Sequence, residues 1–256
     1  MLRIVQISDT HLRRGQPHAC NGWEAALSYI NGARPDLVIH SGDIILDDPH
    51  AVDDHVFAQS ELARIAGPLL AIPGNHDIGD GPPASLGLSG EAIRRFETFY
   101  GRSRWMVDHG AWRLIGVNSL LLGSSLREEE EEWDFLREQL AGGMRRQLAV
   151  FMHKPPFILD PVETTNGSEA LPIAARERFW GLMTTYGVRL VATGHRHEYR
   201  VVQHGGVGLV WCPSTAAMPE STPPLRGSGD PGLLEFVFVG EAVMHNYVRL
   251  GNGSVR

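Results

Sequence analysis

Asp9-Thr10-His11, Gly42-Asp43, Gly74-Asn75-His76-Asp77, His153 and Gly194-His195-Arg196-His197 are the segments whose residue types and spacing could do chemistry. Seven side chains among them, Asp9, His11, Asp43, Asn75, His153, His195 and His197, offer carboxylate, imidazole and carboxamide donors. Such donors suit divalent transition metals. Seven are too many for one ion of roughly four to six sites that must also hold water and substrate. They suit two ions about 3.5–4 Å apart that share a bridging carboxylate and clamp the attacking and leaving oxygens of a displacement. Two divalent ions bring about four positive charges, from which Asp9, Asp43 and a bridging hydroxide remove about three. The remainder favours an anionic phosphodiester over a neutral ester or amide.

Each cluster must be placed by the element before it. Ile4-Val5-Gln6-Ile7, Leu37-Val38-Ile39, Leu69-Leu70-Ala71-Ile72, Ala149-Val150-Phe151-Met152 and Arg189-Leu190-Val191-Ala192 read as buried strands, so the clusters sit at five carboxyl ends. Strand alternation predicts that Asp9 and His11 share a face and that Arg196 points away from its neighbours. Gly42 permits an unusual backbone angle and a close approach. Helical spacing is predicted over Trp23 to Asn31, His55 to Ala66, Glu91 to Tyr100 and Arg176 to Tyr186, with Trp112 to Val117 a further strand. Alternating strands and helices indicate an α/β fold. Tyr199 to Gln203, Val207 to Cys212, Leu233 to Val239 and Ala242 to Arg249 read as an antiparallel continuation, with Pro213 to Gly232 a long loop. Glu128 to Glu132 open an amphipathic helix as a solvated acidic face, near the positive end of its dipole.

The chain has 256 residues, 43% of them hydrophobic, and a net charge of −7. That balance provides no global basic field for nucleic acid or an anionic membrane. No apolar run approaches the roughly 20 residues of a bilayer span. Cys20 and Cys212 are read as two reduced thiols, and the strand beginning at Leu2 leaves no room for a signal peptide, so cytoplasmic residence is expected. His18, His50, His55, His109, His204 and His245 are expected on the surface or in loops. His40 reads as a packed strand-end residue or a support behind the ligands, Arg13 and Arg14 as exposed loop residues or contacts to a substrate phosphate, and Trp105, Trp112, Trp180 and Trp211 as core. The direction of Lys154 is not readable, because Pro155-Pro156 stiffen its turn.

The ordered motif set resembles the calcineurin-like metallophosphoesterase superfamily over residues 1 to about 215. Its length and its Ser8-Asp9-Thr10-His11 opening are most similar to the class III cyclic-nucleotide phosphodiesterase and glycerophosphodiesterase group. The resemblance implies a four-layer αββα sandwich of two mixed sheets flanked by helices. It implies one domain over 1–256, with strands from about 199 completing the second sheet. It implies that Asp9, His11 and His197 hold one ion, that Asn75, His153 and His195 hold the other, and that Asp43 bridges. His76 would face the substrate phosphate as the catalytic group, with Asp77 orienting it. The activity implied is hydrolysis of phosphodiesters, cyclic nucleotides or glycerophosphodiesters, through a metal-bridging hydroxide. Phosphomonoester or nucleotide pyrophosphate hydrolysis is the alternative, and a non-catalytic binding protein a further one. The donor set accepts manganese, iron, zinc or cobalt. The partner expected is a small phosphate ester, without nucleic acid or membrane span; a homodimer through the C-terminal strands is one assembly option.

Overall fold

The computed structural model describes the chain except residues 16, 47, 82–86, 165–166, 217–227 and 252–256, and except the side chains of 17–21. In chain order the first elements are β1 (Leu2–Ile7), α1 (Pro17–Ala33), β2 (Leu37–His40), α2 (Val52–Leu62), β3 (Leu69–Ala71), α3 (Asn75–Ile78) and α4 (Gly90–Tyr100). Then come β4 (Trp105–His109), β5 (Trp112–Val117), α5 (Glu128–Gly142), β6 (Gln147–Met152), α6 (Ile173–Thr185) and β7 (Leu190–Thr193). The chain closes with β8 (Arg200–His204), β9 (Val207–Trp211), β10 (Gly232–Val239) and β11 (Ala242–Arg249).

The strands form two mixed sheets, ordered β11-β10-β1-β2-β3 and β4-β5-β6-β7-β9-β8. Within them β1, β2 and β3 are parallel, as are β5, β6, β7 and β9, while β4, β8, β10 and β11 pair antiparallel. Parallel strands need both faces covered, and the period-two pattern supplies two buried faces. Leu2, Ile4, Trp112, Leu114, Ala149, Phe151, Leu234, Phe236 and Phe238 meet in the core between the sheets. Their neighbours turn outward: Val5 and Ile7 pack with Trp23, Leu62 and Phe96 of α1, α2 and α4. Ile115, Val117, Val150 and Met152 pack with Trp133, Leu136, Phe179 and Met183 of α5 and α6. The result is the expected four-layer sandwich.

The C-terminal strands divide between the sheets. β8 and β9 extend the second sheet, although β9 joins β7 in parallel and only β8 is antiparallel, while β10 pairs with β1 and carries β11 with it, so these two complete the first sheet. Leu234, Phe236 and Phe238 need an apolar surface opposite, and the inter-sheet core beside β1 supplies it.

The acidic run also departs from expectation. Glu132 is fully buried, where its carboxylate accepts from the Asn118 amide at 2.9 Å and pairs with Arg104 at 3.3 Å. Glu129 accepts from the amides of Gly123 and Ser125 and from the Trp133 indole. These two glutamates therefore pin the 118–125 turn, while Glu130 meets Arg178 at the surface. His55 is likewise internal, between the Tyr100 hydroxyl at 3.0 Å and the Pro49 carbonyl at 3.1 Å. His204 and His245 are half-buried, while His50 and His109 are exposed. The His18 and Cys20 side chains lie outside the described residues, as does part of the 213–232 loop; Cys212 is a buried free thiol. Trp105, Trp112 and Trp211 are core residues and Trp180 is half-buried. No helix among the described residues is long and apolar enough to cross a membrane.

Candidate metal centre

The carboxyl ends of β1, β2, β3, β6 and β7 bring all seven candidate ligands, and His76, to one edge of the sandwich. Asp9, His11, Asp43 and His153 form a buried floor, and Asn75, His76, His195 and His197 a half-buried rim.

Strand alternation does not produce this convergence. β1 ends at Ile7, and Asp9 and His11 have φ of 53° and 46°. Asp43, His195 and His197 are also left-handed, at 55°, 69° and 51°. Only two other non-glycine described residues, Arg34 and Ser125, share that conformation. It costs an L-residue about 1–2 kcal/mol each time, and strain of this kind persists where surrounding bonds over-determine it. Here Asp9 and His11 donate their amides to the Gly42 and Asp43 carbonyls at 2.9 and 3.1 Å. The Asp9 carbonyl in turn accepts from Ser214 Oγ at 2.8 Å, and the Asp9 carboxylate from the His195 amide at 3.1 Å. Gly42 and Gly74 allow the loops to touch: a Cβ on Gly42 (φ +98°) would lie 2.6 Å from Gly74 N, and one on Gly74 would lie 2.1 Å from Asp43 Oδ1.

His40, fully buried, ties two ligand loops. Its Nδ1 accepts from the Gly42 amide at 3.2 Å, so Nε2 carries the hydrogen and donates to Thr10 Oγ1 at 2.9 Å, which passes its own to the Ile44 carbonyl. Burial holds this ring neutral, with its pKa pulled down to about 3.

The candidate ligand atoms face one another. His153 Nδ1 donates to the Ser41 carbonyl at 2.8 Å, which leaves Nε2 as a lone pair in the neutral ring. That Nε2 lies 3.1 Å from Asn75 Oδ1, 3.2 Å from His195 Nδ1 and 3.3 Å from Asp43 Oδ2. His197 Nε2 is 3.2 Å from His11 Nε2 and 3.1 Å from Asp9 Oδ1. Two donors each 2.1 Å from a common ion are about 3.0 Å apart in octahedral and 3.4 Å in tetrahedral coordination. The observed separations fall within that range, so the residues fit a metal. Among the described residues three overlapping groups could hold one: Asp9-His11-His197, His11-Asp43-His76 and Asp43-His153-His195.

The electrostatics mark where positive charge belongs. Burial pushes the Asp9 and Asp43 carboxyls up, yet His197 beside the first and His153 beside the second hold both below the usual range. Burial pulls the His153 ring down, but Asp43, then Asp9, raise it to about 9; Asp9 does the same in direction for His197. Burial takes His11 to about 4 and His195 to about 3, the latter helped by the charge of His153. Two positions beside two carboxylates thus attract a cation, whether proton or metal.

The His76 side chain is 32% exposed, against 20% for His197 and none for His153. Its amide donates to Asp43 Oδ1 at 2.9 Å, and its Nε2 lies 3.9 Å from Asp43 Oδ2. The expected pairing of Asp77 with the His76 ring is not the bond its carboxylate makes. Asp77 is fully buried and accepts backbone amides from Ile44 (2.9 Å), Ile45 (3.1 Å) and Gly74 (2.8 Å). It fastens α3 to the loop after β2, so it positions Asn75 and His76 through the backbone. Arg196 is paired with Glu169; Arg13 is half-buried and Arg14 exposed. A residue that sequence reasoning left unassigned is Lys154, which is buried and grips Asp80. Its place directly after His153 was the available signal.

Residues 2–199 match the family model for calcineurin-like phosphoesterases. The chain is 30% identical to the glycerophosphodiester phosphodiesterase GpdQ of Enterobacter lignolyticus, over 93% of this chain and 87% of that protein. It is 26% identical to a protein of Psychrobacter arcticus named "Probable cyclic nucleotide phosphodiesterase", over 84% of this chain and 80% of the relative. Its fold superposes on purple acid phosphatase PPD1 from yellow lupin seeds with a TM-score of 0.75 and 18% identity, covering all of this chain and 52% of that one. The strand-end ligands, their order and these likenesses agree: the chain belongs to the calcineurin-like phosphoesterase family.

Proposed function

We propose that this protein hydrolyses phosphodiesters with two divalent metal ions, acting on cyclic nucleotides or glycerophosphodiesters. The observation that carries the reading is the close approach of Asn75, His195 and Asp43 to His153 Nε2, and of His11 and Asp9 to His197 Nε2, in overlapping groups that share His11 and Asp43. Asp9, His11 and His197 would hold one ion and Asn75, His153 and His195 the other, with Asp43 between them. When bound, the ions supply Lewis-acid polarisation of the phosphoryl oxygens and a hydroxide nucleophile at neutral pH.

The chain's own residues do the rest. Asp9 and Asp43 remove two charges, which leaves the centre weakly positive toward a singly charged diester. The Ser41 carbonyl holds the His153 ring in one tautomer and orientation. His76, whose amide is anchored on Asp43, presents its ring at the open rim. There it donates a hydrogen bond to the phosphate and passes a proton to the departing alkoxide as the bond from phosphorus to the leaving oxygen breaks. No covalent phosphoenzyme is required. The diester substrates of the two relatives support this choice of substrate class.

Asp43→Ala and Asn75→Ala should reduce turnover of bis(p-nitrophenyl) phosphate to background while the far-ultraviolet circular dichroism stays native. Retained turnover in an Asp43→Ala protein of known metal content contradicts the assignment. Rates on cyclic nucleotides, glycerophosphodiesters and phosphomonoesters, measured side by side, separate a diesterase from a monoesterase.

A further inference from the structure

We infer that the Lys154–Asp80 ion pair is a positioning device that sets the separation of Asn75 and His153, and thereby the grip of the centre on its metal. The inference rests on the metal-centre reading above. Lys154 Nζ lies 2.5 and 2.6 Å from the two oxygens of Asp80, across 74 residues of sequence, with side chains only 6% and 10% exposed. Lys154 directly follows His153, and Asp80 lies just beyond α3, which begins with Asn75. The pair therefore joins the two turns that carry neighbouring ligands, whose own atoms meet at 3.1 Å.

Both ends of the tie are themselves held. The Lys154 amide donates to Ser119 Oγ at 2.8 Å. Asp80 Oδ1 accepts from the Gly81 amide at 2.8 Å, and the Asp80 carbonyl accepts from the Leu88 amide at 3.2 Å. Asp77 and His76 already fasten α3 to the loop after β2. The ion pair adds a tie toward β6, in the other sheet. Stability alone is a weak reason for such a pair, because desolvating both charges roughly cancels their attraction, and neutral side chains of similar volume often serve as well. What a carboxylate gripping one ammonium with both oxygens does provide is a single distance and direction.

The test uses the full chain, stripped of metal and titrated with Mn²⁺, with binding followed by electron paramagnetic resonance and calorimetry. Lys154→Met/Asp80→Asn removes both charges and keeps an acceptor for the Gly81 amide. It should melt near the wild type, yet bind Mn²⁺ roughly 10–100-fold more weakly, as loss of a supporting residue around a metal site typically does. Lys154→Arg keeps the charge but alters reach and direction; it serves if the double variant does not fold, and should also weaken Mn²⁺ binding. Wild-type Mn²⁺ affinity in either folded variant overturns the proposal, even if its melting temperature falls. A wild type that binds Mn²⁺ without hydrolysing diesters overturns only the proposed function. A wild type that binds no Mn²⁺ overturns the metal reading and this inference together.

Discussion

Gly42→Ala tests whether the ligand loops are packed as tightly as the centre requires. The residue has φ +98°, where an L-residue is strained by about 1–2 kcal/mol. Its new Cβ would stand 2.6 Å from Gly74 N, 2.7 Å from His153 Nδ1 and 2.8 Å from Gly74 Cα. Two of those atoms are backbone and the third belongs to a ring bonded to the Ser41 carbonyl, so none can swing aside. Overpacking of this kind costs about 1–3 kcal/mol more, for a total of about 2–5 kcal/mol. Gly206→Ala is the matched control: its φ is +84° and its Cβ would meet nothing within 4 Å, so only the conformational part applies. Urea unfolding of both variants, in chelator, should place Gly42→Ala below Gly206→Ala by about 1–3 kcal/mol. The displaced His153 should also weaken metal binding in Gly42→Ala alone. Equal stabilities, or wild-type metal affinity in Gly42→Ala, refute the packing argument.

Two further outcomes follow from buried carboxyls. Burial raises Glu132 from the ordinary 4.5 to about 7. Its charged form is therefore the disfavoured one in the fold, so the stability it confers is complete below pH 4.5 and is lost as pH rises through 7. The loss is at most about 3 kcal/mol. Unfolding titrations of Glu132→Gln should gain on the wild type by up to that amount between pH 4.5 and 8; a difference independent of pH contradicts the assignment. Asp77→Ala leaves the amides of Gly74, Ile44 and Ile45 without their acceptor, at about 1–3 kcal/mol each. It should lose at least about 3 kcal/mol in chelator, whereas a residue that merely oriented the His76 ring would leave metal-free stability nearly unchanged.

Residue type and local period pointed to the fold class and to the candidate site. The five clusters of candidate ligands were legible because strand ends bearing Asp, His and Asn are chemically conspicuous. The α/β class was legible in the alternation of strand and helix periods, and the four-layer sandwich only through the resemblance that the motif set carries. What escaped depends on contacts that neither period nor composition encodes. The left-handed backbone at Asp9, His11, His195 and His197 is imposed by neighbouring loops, so strand alternation gave the right grouping for the wrong reason. Glu129 and Glu132 look like their exposed neighbours until the amides of Gly123, Ser125 and Asn118 are found opposite them. β4 is a half-exposed edge strand, and α3 is a single turn held in place by bonds to Asp43, Ile44 and Ile45, more than thirty residues away. The partner of Lys154 lies 74 residues away, and no local pattern points to Asp80.

A binuclear, metal-dependent diesterase assembled by the strand-end residues should need both of its ions for turnover. Titration of the metal-free protein with Mn²⁺, scoring bound ions per chain and bis(p-nitrophenyl) phosphate turnover in the same samples, tests it most directly. Turnover should rise with the second ion and saturate at about two per chain, the number the seven donors can share. Turnover undiminished in the metal-free protein, or saturation with a single ion bound, contradicts it.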